Sequence, residues 1–274
     1  MENNPRTTPV RQAVVTVASG GHAEKLDKTF TSFAQNSFLE LHAFVIGDQL
    51  PQRQLPGIHY HLKAPDPSFS HPMRDLYYRR LEFIDELDID FALIVDNADV
   101  LCLRGLPGID TLLRGASLGA CVEHAGSRYL HGQGYVSNYF NAGVTFWNVV
   151  RSRKIREEVV ARGRRCFRSI EDQLTLNEVV HTRYADETII LPCQYNFRAN
   201  LAPFRLRRWP TVTSLDGVRI YHNVHCVEAA KRLPPVAHMA VLPELPQDFG
   251  PLSNFDKFVR RLKSRFDPHY VKGI

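Results

Sequence analysis

A chain of 274 residues, 44% hydrophobic and 10% aromatic, can bury one large core and suits a single α/β domain with elaborations better than two independent units. Lys and Arg exceed Asp and Glu by 34 to 29, and the pI near 9.0 favours anionic partners such as phosphates, nucleotides or acidic lipid headgroups without specifying one. No apolar run reaches the length of a membrane span, and five scattered cysteines (Cys102, Cys121, Cys166, Cys193, Cys226) argue against a disulfide framework or a zinc knuckle.

Residues 1–12 are polar and proline-containing, and they read as a disordered arm without a signal peptide, which places the chain in the cytoplasm. Residues 13–18 (AVVTVA) form a β-branched strand ending in Ser19-Gly20-Gly21, and Leu26, Phe30 and Phe33 follow at helical spacing. A second strand at 41–46 (LHAFVI) completes a βαβ unit with a right-handed crossover, whose carboxyl strand ends are a common nucleotide site. The stretch 48–72 is loop-heavy, with one short strand at 58–62, and a helix is predicted over 75–87 with Leu76, Leu81, Ile84 and Leu87 inward. Residues 91–95 (FALIV) are apolar throughout, as a central parallel strand covered on both faces requires. Strands at 117–122, 140–147 and 218–222, and helices at 155–165 and 172–181, complete the pattern. A catalytic domain over 13–252 then ends in a basic amphipathic helix at 253–274.

The FALIV strand delivers Asp96-Asn97-Ala98-Asp99 at its carboxyl end. Side chains alternate along a strand, so two carboxylates three apart converge only if the chain turns at once after Val95. Converged, they make a hard-oxygen bracket for Mn²⁺ or Mg²⁺, and such an ion on a diphosphate neutralises the charge of a departing nucleotide.

The segment 77–103 (YYRRLEFIDELDIDFALIVDNADVLCL) resembles the helix, strand and metal motif of glycosyltransferase family 8, which contains glycogenin and bacterial lipopolysaccharide galactosyl- and glucosyltransferases. Tyr139-Phe140-Asn141-Ala142-Gly143-Val144 is similar to that family's acceptor-side strand, and Asp172-Gln173 with Leu176-Asn177 to its next motif. Leu191-Pro192, Tyr195-Asn196 and Ile220-Tyr221-His222 continue the series in order, so the resemblance spans most of the chain. It implies a GT-A fold, a Rossmann-like, mainly parallel central sheet flanked by helices, and retaining transfer of a hexose from a UDP-sugar such as UDP-glucose or UDP-galactose. By motif position it puts Ala18 and Ser19 beside the base, and Arg80, Asn97 and Ala98 near the diphosphate or sugar. Asn141, Ala142 and Gly143 would line the sugar, Asp172 and Gln173 would lie next to the reacting carbon, and Asp96, Asp99 and His222 would hold Mn²⁺ or Mg²⁺.

Two departures stand out. Strict alignment gives Asn97-Ala98-Asp99 in place of the family's Asp-x-Asp, and the Asp-x-x-Asp form resembles instead the glycosyltransferase domain of the collagen lysyl hydroxylases. The family's glycine three and lysine six residues after the histidine are His225 and Glu228 here, which leaves Lys231 or Arg232 as candidates for the diphosphate. Plainer roles are open to each residue alone: Arg80 as a helix-surface cation, Asn141 as a backbone-bonding side chain at a strand edge, Asp172 as a helix N-cap. The expected acceptor is a saccharide, a lipid-linked sugar or a protein, and no nucleic-acid motif is present; the 253–274 helix has two readings, apolar face packed on the core with a solvated basic side, or peripheral contact with an anionic membrane. The rival readings are a non-catalytic nucleotide-sugar binder and an inverting transferase with Glu123 or Asp172 as base.

Overall fold

The structure, a computed structural model, describes residues 9–97, 100–123, 128–130, 134–136, 138–165, 172–198 and 217–222. The arm before residue 9, Ala98, Asp99, Lys231, Arg232 and the 253–274 segment lie outside the described residues. In chain order the elements are β1 (Gln12–Ser19), α1 (Asp27–Asn36), β2 (Glu40–Ile46), β3 (Ile58–Lys63), α2 (Pro72–Phe83), β4 (Phe91–Val95), β5 (Val100–Cys102) and α3 (Ile109–Leu113). There follow β6 (Leu118–Val122), β7 (Arg128–Leu130), β8 (Gly134–Val136), β9 (Phe140–Asn148), α4 (Arg153–Arg165), α5 (Asp172–Val179), β10 (Thr188–Leu191), β11 (Phe197–Arg198) and β12 (Ile220–His222).

Seven strands form the central sheet in the order β10-β6-β9-β4-β1-β2-β3. β1 is parallel to β2 and β4, β2 to β3, and β10 to β6, while β9 is antiparallel to both of its neighbours. The expected mainly parallel α/β sheet is therefore present, with one reversed strand. The apolar runs explain it: β1 buries six consecutive side chains and β4 four, as strands with helices on both faces must. Alternation sends Val15 and Ile94 into a core shared with α2, α4 and α5, and Val14 and Leu93 into a second core beneath α1 and α3. Leu26, Phe30 and Phe33, the predicted inner stripe of the first helix, are fully buried in that second core.

Boundaries differ where caps decide them. α2 starts at Pro72, three residues before the expected position, because the His71 ring accepts the Met73 N–H at 3.1 Å and proline fits the first turn, where its missing donor is not needed. It yields to a 3₁₀ turn at Ile84–Glu86, and α5 passes into a π-helical turn at Val180–Tyr184. The strands that the sequence pattern does not reveal are short ones, among them β5 and the edge strand β10, where Ile190 is half exposed.

One buried arginine ties α4 to the rest. Arg156 donates from Nε to Ser152 Oγ (3.0 Å), from Nη1 to Leu81 O and Asp85 Oδ2 (both 2.6 Å), and from Nη2 to Asp85 Oδ1 and Val149 O (both 2.7 Å). All five guanidinium donors are used, a pattern no ammonium can reproduce. We expect Arg156→Lys to lower unfolding stability by about 2 kcal/mol in urea titrations, since bonds to charged groups are worth about 1.5–3 kcal/mol each; unchanged stability would contradict this.

Candidate active site

Reversal of β9 builds the site. Because β9 runs against β4 and β6, its first residues meet the carboxyl ends of both: Val144 pairs with Val95, Phe140 with Val122, Asp96 N–H donates to Gly143 O (2.8 Å) and Glu123 N–H to Tyr139 O (2.7 Å). Asp96, Glu123 and Asn141–Gly143 are thereby gathered at one sheet edge, and the end of β1 lies two strands from β9. The small sheet β11-β12-β5 adds His222, whose register partner is Val100.

Two side chains crowd around Gly143. His222 Nε2 stands 3.5 Å from Asp96 Oδ2, and a Cβ on Gly143 would sit 2.3 Å from that oxygen and 2.4 Å from His222 Cε1. Only glycine leaves room for the carboxylate and the imidazole to converge there. The Asp96 side chain keeps 30% of its surface, whereas His222 is buried to 3%. A carboxylate oxygen and an imidazole nitrogen are both donor types that a divalent cation such as Mn²⁺ accepts. Among the described residues no set of three metal-ligating side chains converges.

Arg80 links Asp96 to Asp172. Its guanidinium is 4% exposed, so it is not the helix-surface cation of the plainer reading. Nη1 donates to Asp96 Oδ1 (2.6 Å), Nε to Asp172 Oδ2 (3.0 Å), and Nη2 to Asp172 Oδ1 and Oδ2 (3.0 and 2.8 Å) and to Ala142 O (2.9 Å). Burial alone would raise the Asp96 carboxyl, but Arg80 and His222 outweigh it and hold the group well below the usual carboxylate range. Burial likewise opposes the charge on Arg80, and Asp172 and Asp96 together push its pKa above its ordinary value.

Asn141, Ala142, Gly143 and Gln173 belong to a hydrogen-bonded layer with Glu123 and Asn196. Asn141 Oδ1 accepts from Asn196 Nδ2 (2.8 Å) and Gly143 N–H (3.1 Å), while its Nδ2 donates to Gln173 Oε1 (3.0 Å) and to Glu123 Oε2. Gln173 Oε1 also accepts the Ala142 N–H (3.1 Å), and Asn177 clamps Phe140 by accepting its N–H (2.6 Å) and donating to its carbonyl (2.9 Å). Asn141, Ala142, Asp172 and His222 are buried, as is Ala18, whose side chain lies in the core; Ser19, Asn97, Asp96 and Gln173 are half-buried. Asn97 donates to His22 O (2.8 Å), and its buried Oδ1 has no partner among the described residues. Neither carboxylate offered as an inverting base is exposed: Asp172 is paired with Arg80, and Glu123 is bonded by Asn141. Motif position gives Asn196 no role of its own and Glu123 only that of an inverting base, although Asn196 belongs to the Tyr195-Asn196 motif and Glu123 follows β6 as Asp96 follows β4.

No family model matches the chain, and no curated protein does. Solved structures do. The galactosyltransferase LgtC, in complex with donor and acceptor sugar analogues, is 20% identical with a TM-score of 0.57 over 77% of this chain and 87% of that one. The glycosyltransferase GlyE of Streptococcus pneumoniae TIGR4 is 19% identical at TM-score 0.52 over 78% of this chain and 54% of its own. WbbM, a bifunctional glycosyltransferase in its apo form, is 15% identical at TM-score 0.56 over 80% and 46%. The chain thus has the GT-A, Rossmann-like fold that these glycosyltransferases share.

Proposed function

We propose that the chain is a metal-dependent glycosyltransferase of the family 8 type, taking a hexose from UDP-glucose or UDP-galactose and passing it to a saccharide, glycolipid or protein acceptor with retention. The observation that carries this reading is the convergence of Asp96 and His222 over Gly143 at the carboxyl edge of a GT-A sheet, where nucleotides bind in α/β folds. Asp96, His222 and Asp99 would hold Mn²⁺ or Mg²⁺. Bound there, the ion supplies Lewis-acid stabilisation of the departing diphosphate.

The chain's own groups do the rest. Arg80 keeps Asp96 ionised and in place, and with it Asp172, so that neither carboxylate swings toward the other. Ser19, Asn97 and Gln173 are the half-buried polar residues proposed to face the donor, Gln173 from the first turn of α5. The burial of Glu123 and Asp172 disfavours a protein base and supports retention. Lys231 is the proposed diphosphate cation, and residues 13–252 the catalytic domain. The 253–274 helix is a proposed membrane-surface contact. Among the described residues no helix is long and apolar enough to cross a membrane.

A panel of nucleotide-sugars incubated with and without Mn²⁺ tests the reading. We expect Mn²⁺-dependent release of sugar from UDP-glucose or UDP-galactose, with the α-anomer retained in the transfer product by NMR. Metal-aided UDP binding with no sugar released from any donor would instead establish a non-catalytic binder.

A further inference from the structure

A groove of about 600 Å³ opens between α4 and α5, lined by residues that the site described above does not use. Glu158, Arg162 and Arg165 stand at i, i+4 and i+7 on α4 and line it as one stripe, while Thr175, Glu178 and Arg183 close it from α5 and the π-helical turn that follows. One carboxylate organises the cations. Glu158 Oε1 accepts from Arg162 Nη2 (2.7 Å), and its Oε2 accepts from Arg183 Nη1 (3.1 Å) and from the Tyr184 hydroxyl (3.4 Å). The Glu158 side chain keeps only 16% of its surface, against 35% for Arg162 and 59% for Arg183. A ligand entering the groove therefore meets guanidinium N–H groups held in place, rather than the carboxylate that holds them. Arg165 is exposed and forms no ion pair among the described residues, and Glu178 is the second acid of the lining. Three arginines against two glutamates leave the positive charge in excess.

The groove begins one helical turn from the active-site layer. Thr175, whose Oγ1 lies 2.8 Å from the Tyr78 hydroxyl, follows Gln173, which accepts the Ala142 N–H, and Asp172, which receives Arg80. Three residues of helix separate Asp172 from Thr175, about 4.5 Å along the axis of α5. We infer that the groove binds the oxyanion groups, carboxylate or phosphate, of an acidic saccharide acceptor. Planar guanidiniums take both groups through paired N–H donors, and the cations lining the groove are all arginines. Assignment to the acceptor rests on the transferase reading, whereas the capacity to bind oxyanions rests on the groove alone.

Titration calorimetry of the full chain at neutral pH and low salt, where surface charges are least screened, tests this with three probes. Hexagalacturonate supplies carboxylates on a saccharide, tripolyphosphate supplies phosphates alone, and maltohexaose is the neutral control. At least one acidic probe should bind, and maltohexaose should not; which acidic probe binds tells carboxylate from phosphate. Replacing Arg165 and Arg183 together by glutamine should weaken that binding about tenfold, as expected for two exposed charge contacts, with the urea midpoint nearly unchanged. Glu178→Gln, which removes a like charge, should tighten it about twofold or more. Saturating UDP and Mn²⁺ should leave the wild-type affinity within about twofold, since the groove and the donor site share no residue. Binding of neither acidic probe, equal binding of maltohexaose, displacement by UDP, or affinities indifferent to both sets of substitutions overturns the inference. An acidic probe held through Arg165 and Arg183 by a chain that binds no UDP upholds the groove and overturns the transferase reading.

Discussion

Arg80→Met should lose about 3–5 kcal/mol of unfolding stability at neutral pH, the usual cost of removing one partner from a buried ion pair. Methionine fills much of the volume but satisfies neither Asp172, which is 4% exposed and receives three guanidinium bonds, nor Asp96. The pH dependence identifies the cause. In the wild type the Asp96 carboxyl lies below its ordinary value, so its contribution is present above the unfolded pKa of about 3.9 and is lost as pH falls further. In the variant a buried carboxylate without a cation has a folded pKa above about 3.9, so the folded state binds protons more readily and gains stability as pH falls toward that value. Urea titrations at pH 7 and pH 4.5 should therefore show the two proteins converging in acid. Parallel curves, or a loss below about 1 kcal/mol at pH 7, would show that Arg80 is not the countercharge described here.

Gly143→Ala should leave the fold standing and remove the activity. The glycine is needed for space: its backbone is ordinary strand, but the added methyl would lie 2.3 Å from Asp96 Oδ2, 2.9 Å from Asp96 Cγ and 2.4 Å from His222 Cε1. One of those side chains must retreat, and Asp96, the more exposed of the two, is the one with room to move. A displacement of about 1 Å in a positioned group can cost about 10²-fold in rate, so Mn²⁺-dependent donor turnover should drop by about that factor or more. Circular dichroism should change little, because the strand backbone itself accepts alanine, while stability in urea should fall by about 1–3 kcal/mol, the usual cost of overpacking. Turnover within about twofold of wild type would mean that the Asp96–His222 approach has no part in the reaction.

How much of this was legible in the sequence follows from what each signal depends on. Long apolar runs are local, so β1, β2 and β4 and the Leu26–Phe30–Phe33 stripe could be read to within a residue or two. The reversal of β9 could not, since direction within a sheet depends on what the loops before and after it allow. β5, β10 and β11 have four residues or fewer and carry too little pattern to stand out.

For the site, the structure gathers Asp96, Asn141, Gly143, Asp172, Gln173 and His222 at one end of the sheet, and their depth there is not a property that motif order carries. Arg80, Asn141 and Asp172 are buried and hydrogen-bonded within the protein. The reason is chemical: a buried carboxylate or amide must be paired, and its partners here, Arg80 for Asp172 and Asn196 for Asn141, are distant in sequence and unpredictable from spacing. Asp99 and Lys231 lie outside the described residues, and their parts in the site stand as proposals.

Crystals soaked in MnCl₂ and UDP, with data collected at the manganese absorption edge, give the most direct measurement. The account predicts one strong anomalous peak within bonding distance of an Asp96 carboxylate oxygen and of His222 Nε2, with UDP phosphate density beside it. A fully occupied UDP site with no anomalous peak between those two side chains, or a peak that survives unchanged in Asp96→Asn and His222→Gln, would contradict it.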